Sequence, residues 1–310
     1  MTDIARATIP ALYALSNLRS PWFSWLMGMV TWLGDGVFFV VVGVVCYWCW
    51  NKRAGQFMLS VGLCGAAAAH FLKNIFRIPR PWLLDENFAI VESARARATG
   101  YSFPSGHTQM SIGLYGAMAI WTKHRAVRIV AIALMVLVPF SRMLLGVHTP
   151  LDIGVAAAIS LILLIVLRPS FTGDDSKVSR TYAALTLISL VLLIATVIVG
   201  HPAEATEEEL TNGWDGIKAI CQSLAGIMAL WLGHEVDRRY THWETAAPLP
   251  AQVIKSAGGL AVIGALFALV HYIPKHIVPL RVLGYFVAIA AGTVLWPMTF
   301  KRISALCEKK

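Results

Sequence analysis

The chain has 310 residues, 57% of them hydrophobic and 14% charged, with a mean hydropathy of +0.65. So little polar surface excludes an ordinary water-soluble domain and implies an integral membrane protein. The formal net charge of +9 does not point to nucleic acid, because the cations stand at the ends of apolar segments rather than on one face. Of the five cysteines, at 46, 49, 64, 221 and 307, four lie inside apolar segments. Cys46 and Cys49 have the C-x-x-C spacing of a metal or redox pair, but without a second pair they read as buried apolar residues.

The N-terminus lacks the basic start, apolar core and small-residue cleavage site of a signal peptide, so no segment is expected to be removed. Pro21 to Leu33 is apolar and Trp-rich and is interrupted by Gly34-Asp35. It predicts an interfacial or re-entrant helix rather than an extension of the first span, with Asp35 as the N-cap of that span. Crossing the hydrocarbon core as a helix takes about 20 residues. Nine stretches come near that length, at 34–51, 56–72, 105–122, 128–145, 150–168, 181–200, 216–234, 252–272 and 280–299. The expected fold is an all-α polytopic transmembrane bundle.

Lys52 and Arg53 follow the first span; Lys123, Arg125 and Arg128 separate the third and fourth; Arg168, Lys177 and Arg180 separate the fifth and sixth. Arg238, Arg239 and Lys255 separate the seventh and eighth, and Lys301, Arg302, Lys309 and Lys310 close the chain. All of these fall on one side, which the positive-inside rule assigns to the cytoplasm. The acidic run Glu204, Glu207, Glu208 and Glu209 falls on the other. Arg95 and Arg97, between Trp82 and Phe103, break the rule locally, where an anionic substrate would justify them.

A polar stretch, Thr172 to Lys177, marks an internal boundary, giving residues 1–170 as one membrane region and 171–310 as a second with four spans. The second half shows no catalytic constellation. His234-Glu235 starts like a zinc H-E-x-x-H, but Arg238 stands where the second histidine would be. This half reads as a scaffold, a wall for lipid access or a dimerisation surface for a homo-oligomer.

Three polar blocks interrupt the apolar sequence: Lys73 to Pro81 with Arg77 and Arg80; Pro104-Ser105-Gly106-His107; and Ser141-Arg142 followed by His148 and Asp152. Ionisable groups at such borders are costly and mark function. Lys73, Arg80 and Arg142 can neutralise a phosphate dianion, arginine as a planar fork and lysine as a point charge. The second block opens a span, so free N–H groups of a helix start and the Ser105 hydroxyl can add donors, with Gly106 allowing close backbone approach. Thr149-Pro150-Leu151-Asp152 has the pattern of a helix start and sets the Asp152 carboxylate close to His148. The cations supply the positive charge and no residues have ligand spacing, so no metal or other cofactor is implied. Arg77, one turn from Lys73, is a lesser candidate for a head group; His70, Trp22 and Trp82 read as packing or interface residues, and Ser141 as orienting a neighbour or capping a turn.

In order and spacing the blocks match K-x6-R-P, P-S-G-H and S-R-x5-H-x3-D, and over roughly residues 30 to 170 the chain resembles the type 2 phosphatidic acid phosphatase superfamily of membrane lipid phosphatases. Leu33-Gly34-Asp35 and Gly100-Tyr101-Ser102-Phe103 are similar to bacterial members related to sphingosine-phosphate phosphatases. The resemblance implies that His148 is the nucleophile, forming a phosphohistidine, that His107 is the general acid, and that Asp152 orients His148. It implies phosphate binding by Lys73, Arg80, Ser105, Gly106 and Arg142, and a lipid phosphate or diphosphate substrate taken from the bilayer at the extracytoplasmic face of the plasma membrane. Two rivals remain at this stage: a phosphatase for a small soluble phosphate, and a silent polytopic lipid-binding or transport protein.

Overall fold

A computed structural model describes residues 1–200, 204–274 and 276–308; Lys309 and Lys310 lie outside the described residues. Two short helices, α1 (Thr2–Ala7) and α2 (Ile9–Ser16), precede α3 (Pro21–Trp32) and α4 (Gly36–Val45), which continues into a π-helical turn, Cys46–Trp50. Then come α5 (Lys52–Phe76), the single turn α6 (Pro81–Leu84), α7 (Gly106–Trp121), α8 (Arg125–Leu144) and α9 (Pro150–Phe171). The remainder is α10 (Asp175–Val199), α11 (Glu207–Val236), α12 (Leu249–Val270), α13 (Val278–Ala290) and α14 (Phe300–Glu308). Among the described residues there is no strand, as the hydropathy pattern requires.

Local chemistry fixes the helix starts. Ser20, Asp35, Asn51, Ser105, Thr149, Asp174 and Thr206 each place a side-chain oxygen on a backbone N–H of the first turn, satisfying donors that the helix leaves unpaired. Asp35 is therefore the N-cap that the sequence predicts, accepting from the Val37 N–H at 2.8 Å.

Among the described residues, seven helices are long and apolar enough to cross a membrane. The bent pair α3 and α4, broken by 48°, adds an eighth. The ninth predicted span is α7, whose 16 residues rise only about 24 Å. It is short because it does not face lipid: Thr108, Gln109 and Ser111 to Ala117 are buried, against α5, α8 and α9.

The bent pair bears on the expectation for residues 21–33. Arg19, just ahead of α3, donates to the carbonyls of Leu144 and Ala89, at the end of the bundle where α8 finishes. Lys52, just after the pair, is bonded to Asp237, at the opposite end, where α11 finishes. The two ends of the pair thus lie at opposite ends of the bundle, so the pair as a whole crosses it, which an interfacial α3 followed by a crossing α4 also does. Its first half still bears the interfacial signature, with Trp22, Trp25 and Trp32 exposed and Met27 packed on Leu144, Leu145 and Val147.

From there the chain alternates. The end of α5 meets the end of α10 through the Arg77 guanidinium and the Gly200 carbonyl, 2.6 Å. At the far end Trp48, Trp243 and Trp296 meet the Phe300 ring edge-to-face, and Tyr47 meets Trp243 in the same way. Among the described residues, the basic connections expected on one side gather at this far end, while Glu204 to Glu209 and all three polar blocks stand at the other. The second half is not a separate body: α11 packs along α5, and Ile227 and Leu230 share a core with Phe57, Met58 and Val61.

Candidate active site

The three blocks meet at one end of the bundle. α5 ends in Lys73 to Phe76, closed by Arg77 in the left-handed conformation, φ 47°. Lys73 Nζ reaches across to the carbonyls of Tyr101 and Ser102. Ser102 N–H in turn donates to the Ile78 carbonyl at 2.8 Å, so the segment ahead of the second block is fastened to the first. Arg80 completes that fastening: Nε donates to Gly100 O (2.9 Å), Nη2 to Thr99 O (2.5 Å) and Nη1 to Val147 O (3.0 Å).

At the second block Ser105 is the N-cap of α7, its Oγ accepting from Thr108 N–H (3.4 Å) and Thr108 Oγ1 (3.0 Å). Its backbone N–H donates to the carbonyl of Asp152 at 3.1 Å, joining the starts of α7 and α9. A methyl group on Gly106 would meet nothing within 4 Å. Packing does not demand glycine there; the open space lies beside the free N–H groups of a helix start, a cradle suited to an anion. His107, half-buried, is the second residue of α7.

The third block brings Arg142 from the last turn of α8, 1% exposed. Nη1 donates to Thr31 Oγ1 at 2.8 Å, and Nε is buried without a partner. His148 stands in the short loop before α9. Thr149, Pro150 and Asp152 form the predicted capping box, with Thr149 N–H to Asp152 Oδ2 at 2.7 Å. His148 Nδ1 lies 3.4 Å from Asp152 Oδ2, a long separation for a hydrogen bond. That oxygen is already engaged by Ser102 Oγ, which donates to it at 2.6 Å and stands 3.4 Å from the same Nδ1. His148 Nε2 faces Arg80 Nη1 at 3.0 Å. The same Nη1 lies 3.4 Å from Nδ1, so Arg80 does not select the tautomer; Asp152 and Ser102 beside Nδ1 favour the proton there and the lone pair on Nε2.

The donor inventory separates the three cations. A guanidinium has five N–H donors and an ammonium three. Arg80 donates to three carbonyls and the imidazole, and Lys73 to two carbonyls, so each retains about one donor for a ligand. Arg142, with Thr31 as its hydrogen-bond partner among the described residues, retains about four. The field acts on His148 in a definite direction: burial, followed by the charges of Arg80, Arg142 and Lys73, holds the imidazole well below its ordinary pKa. The ring is therefore neutral at pH 7.

The structure thus brings Lys73, Arg80, Ser105, Gly106, His107, Arg142, His148 and Asp152 to one end. Arg77 turns away to Asn74 and Gly200 and is a tie between the halves. Ser141 Oγ bonds back to Val138 O. Arg95 and Arg97 stack over Trp82 and Trp32. His234 and Glu235 are engaged by Asp175 and by Ser179, Arg238 and Arg239. Two residues at the site were given no role from the sequence: Ser102, quoted only within the Gly100 to Phe103 resemblance, and Thr31, which had no signal beyond a hydroxyl in an apolar helix.

This class of site, a helical membrane bundle with a cationic, histidine-bearing end, agrees with the family comparisons. The model of the PAP2 superfamily matches residues 53–176, and that of the PAP2 superfamily phosphatase transmembrane extension matches residues 221–309. The chain belongs to the PAP2 superfamily. It is 25% identical over 240 residues to a probable sphingosine-1-phosphate phosphatase of Dictyostelium discoideum, covering 72% of this chain and 57% of that protein. It is 28% identical over 176 residues to phosphatidylglycerophosphatase B of Bacillus subtilis (strain 168), covering 53% of this chain and 80% of that protein. The chain thus spans little more than half the length of the Dictyostelium relative. No solved structure matches at a significant level.

Proposed function

We propose that this chain is a phosphohydrolase that removes the terminal phosphate from a lipid phosphate or diphosphate through a phosphohistidine on His148. The observation that carries the reading is the Asp152 carboxylate 3.4 Å from His148 Nδ1 with Arg80 Nη1 3.0 Å from Nε2: the carboxylate favours the proton at Nδ1, and a phosphate that takes the Arg80 N–H onto its own oxygen frees the Nε2 lone pair facing it. Nε2 attacks phosphorus and the bond to the leaving oxygen breaks. His107 gives that oxygen its proton, then takes one from the water that cleaves the phosphorus–nitrogen bond and returns inorganic phosphate. The imidazolium character of the intermediate is stabilised by Asp152, and the charge on the phosphoryl oxygens by the cations and the α7 N–H groups.

The names of the two relatives, one for sphingosine-1-phosphate and one for phosphatidylglycerophosphate, favour a lipid phosphate, with phosphatidate and undecaprenyl diphosphate as further candidates. The basic far end favours the cytoplasm for that side and the extracytoplasmic face of the plasma membrane for the site. The side-chain charges take the place of a metal ion.

Purified protein should release inorganic phosphate from at least one member of a panel of these four lipids, in the presence of a strong chelator, and His148→Ala should abolish it. No release from any lipid would sink the reading; release from a soluble sugar phosphate alone would move it to the small-substrate class. Loss of activity with chelator and recovery with Mg²⁺ would show that the charge cluster does not replace a metal.

A further inference from the structure

The break between α3 and α4 lies ahead of both family matches, yet it touches the site at three points. Thr31, 5% exposed, accepts from Arg142 Nη1 at 2.8 Å. The Leu33 carbonyl accepts from Tyr115 Oη on α7 at 2.9 Å. At Gly34 an added Cβ would lie 2.5 Å from Val138 Cγ1 and 2.9 Å from the His107 carbonyl oxygen, so the break rests directly on the backbone of His107 and admits no side chain there. These four residues, 31–34, are held by α7 and α8 at the level of the reacting groups.

We propose that Thr31 is a positioning residue for the phosphate clamp: its hydroxyl fixes the Arg142 guanidinium so that the remaining N–H groups face the phosphate. The inference rests on the phosphohydrolase reading of the site. Its physical basis is the donor inventory. Arg80 and Lys73 are fastened by the 99–102 carbonyls and Val147, and each needs no further support. Arg142 holds the greater part of the donors available to a ligand, and among the described residues Thr31 is its hydrogen-bond partner. A single Nη1 bond to a fixed acceptor suffices, because the guanidinium is planar and its other donors follow.

Orthovanadate binding, measured by calorimetry on the full chain in detergent, tests this without turnover; the KM for the best lipid phosphate tests it with turnover. Thr31→Val keeps the shape and removes the acceptor, and Thr31→Ser keeps the acceptor. We expect Thr31→Val to weaken vanadate binding and raise KM by roughly tenfold, the scale of a lost hydrogen bond to a charged group, with Thr31→Ser close to wild type. Thr31→Ala serves as the second acceptor-free variant should the valine protein not fold. Equal vanadate affinity and KM in wild type and Thr31→Val would overturn the assignment, and so would a serine variant as impaired as the valine one, since the effect would then be packing. Acceptor-dependent vanadate binding by a chain that releases no phosphate would support the role of Thr31 while sinking the hydrolase reading.

Discussion

Ser102 Oγ and Asp152 Oδ2 are 2.6 Å apart, both fully buried, whereas His148 Nδ1 is 3.4 Å from the same carboxylate oxygen. The carboxylate beside His148 is thus itself held by a serine fifty residues away in sequence. A buried carboxylate needs several donors to stay ionised, and Oδ2 draws them from Ser102 and Thr149 N–H.

Removing the Ser102 hydroxyl leaves that oxygen with one donor fewer and His148 Nδ1 without its second neighbour. Ser102→Ala should therefore lower kcat by roughly 10–100-fold, in keeping with about 1.5–3 kcal/mol for a hydrogen bond to a charged group. The protein should remain folded, because the backbone bonds of residue 102 to Ile78 and Lys73 do not involve the side chain. An unchanged kcat would show that Thr149 and the capping box suffice to hold Asp152.

Protonation of the leaving oxygen by His107 matters less when that oxygen departs readily. His107→Ala should lose several orders of magnitude on an alkyl phosphate and far less on an aryl phosphate with an acidic leaving group. With the aryl substrate the phosphoryl group should then accumulate on His148, seen by mass spectrometry, because the same variant lacks the base that activates water. Equal losses on both substrates would remove His107 from the acid role.

His148 titrates in a direction that can be read spectroscopically. Its folded pKa is depressed by burial and by Arg80, Arg142 and Lys73, against an ordinary value of about 6.5. As pH falls below 6.5 the unfolded chain protonates this ring while the folded one does not. The group accordingly has no effect on stability above that pH and removes stability progressively below it. In NMR of histidine-labelled protein, the resonance that disappears in His148→Gln should remain that of a neutral ring at pH 6. A midpoint near 6.5 would mean that the cationic field does not reach the imidazole.

Much of the site was legible because its parts are local in sequence. Thr149-Pro150-x-Asp152 announces a capped helix start, and the helix places its carboxylate beside His148 by geometry alone. Ser105 and Asp35 announce their caps in the same way. Ser102 and Thr31 were not legible, since each acts on a partner distant in the chain, 50 and 111 residues away, and a lone hydroxyl carries no periodicity. Gly34-Asp35 is a true helix break, as the sequence announces, but how its two halves sit depends on what packs against it, here Val138, Tyr115 and the His107 backbone. The fastening of Lys73 and Arg80 to carbonyls was equally hidden, because acceptors on the backbone leave no mark on residue type.

Sidedness decides which lipid pool the site can draw on, and the fold sharpens how to test it. With nine crossings, the site end and α1 share one side, and the basic far end has the other. A cysteine at Thr99 replaces an exposed side chain whose backbone carbonyl still serves Arg80, so it should react with an impermeant thiol reagent in intact cells. For the opposite side Thr122 is a poor choice, being 3% exposed with its hydroxyl accepting from His124 N–H. Lys123, exposed at the start of the same connection, is the better one, and a cysteine there should stay unlabelled until the cells are opened. The native Cys46, Cys49, Cys64 and Cys307 are partly exposed and must first be replaced. Labelling at 123 with protection at 99 would invert the bundle and assign the enzyme to the cytoplasmic leaflet, with the chemistry of His148, His107 and the three cations unchanged.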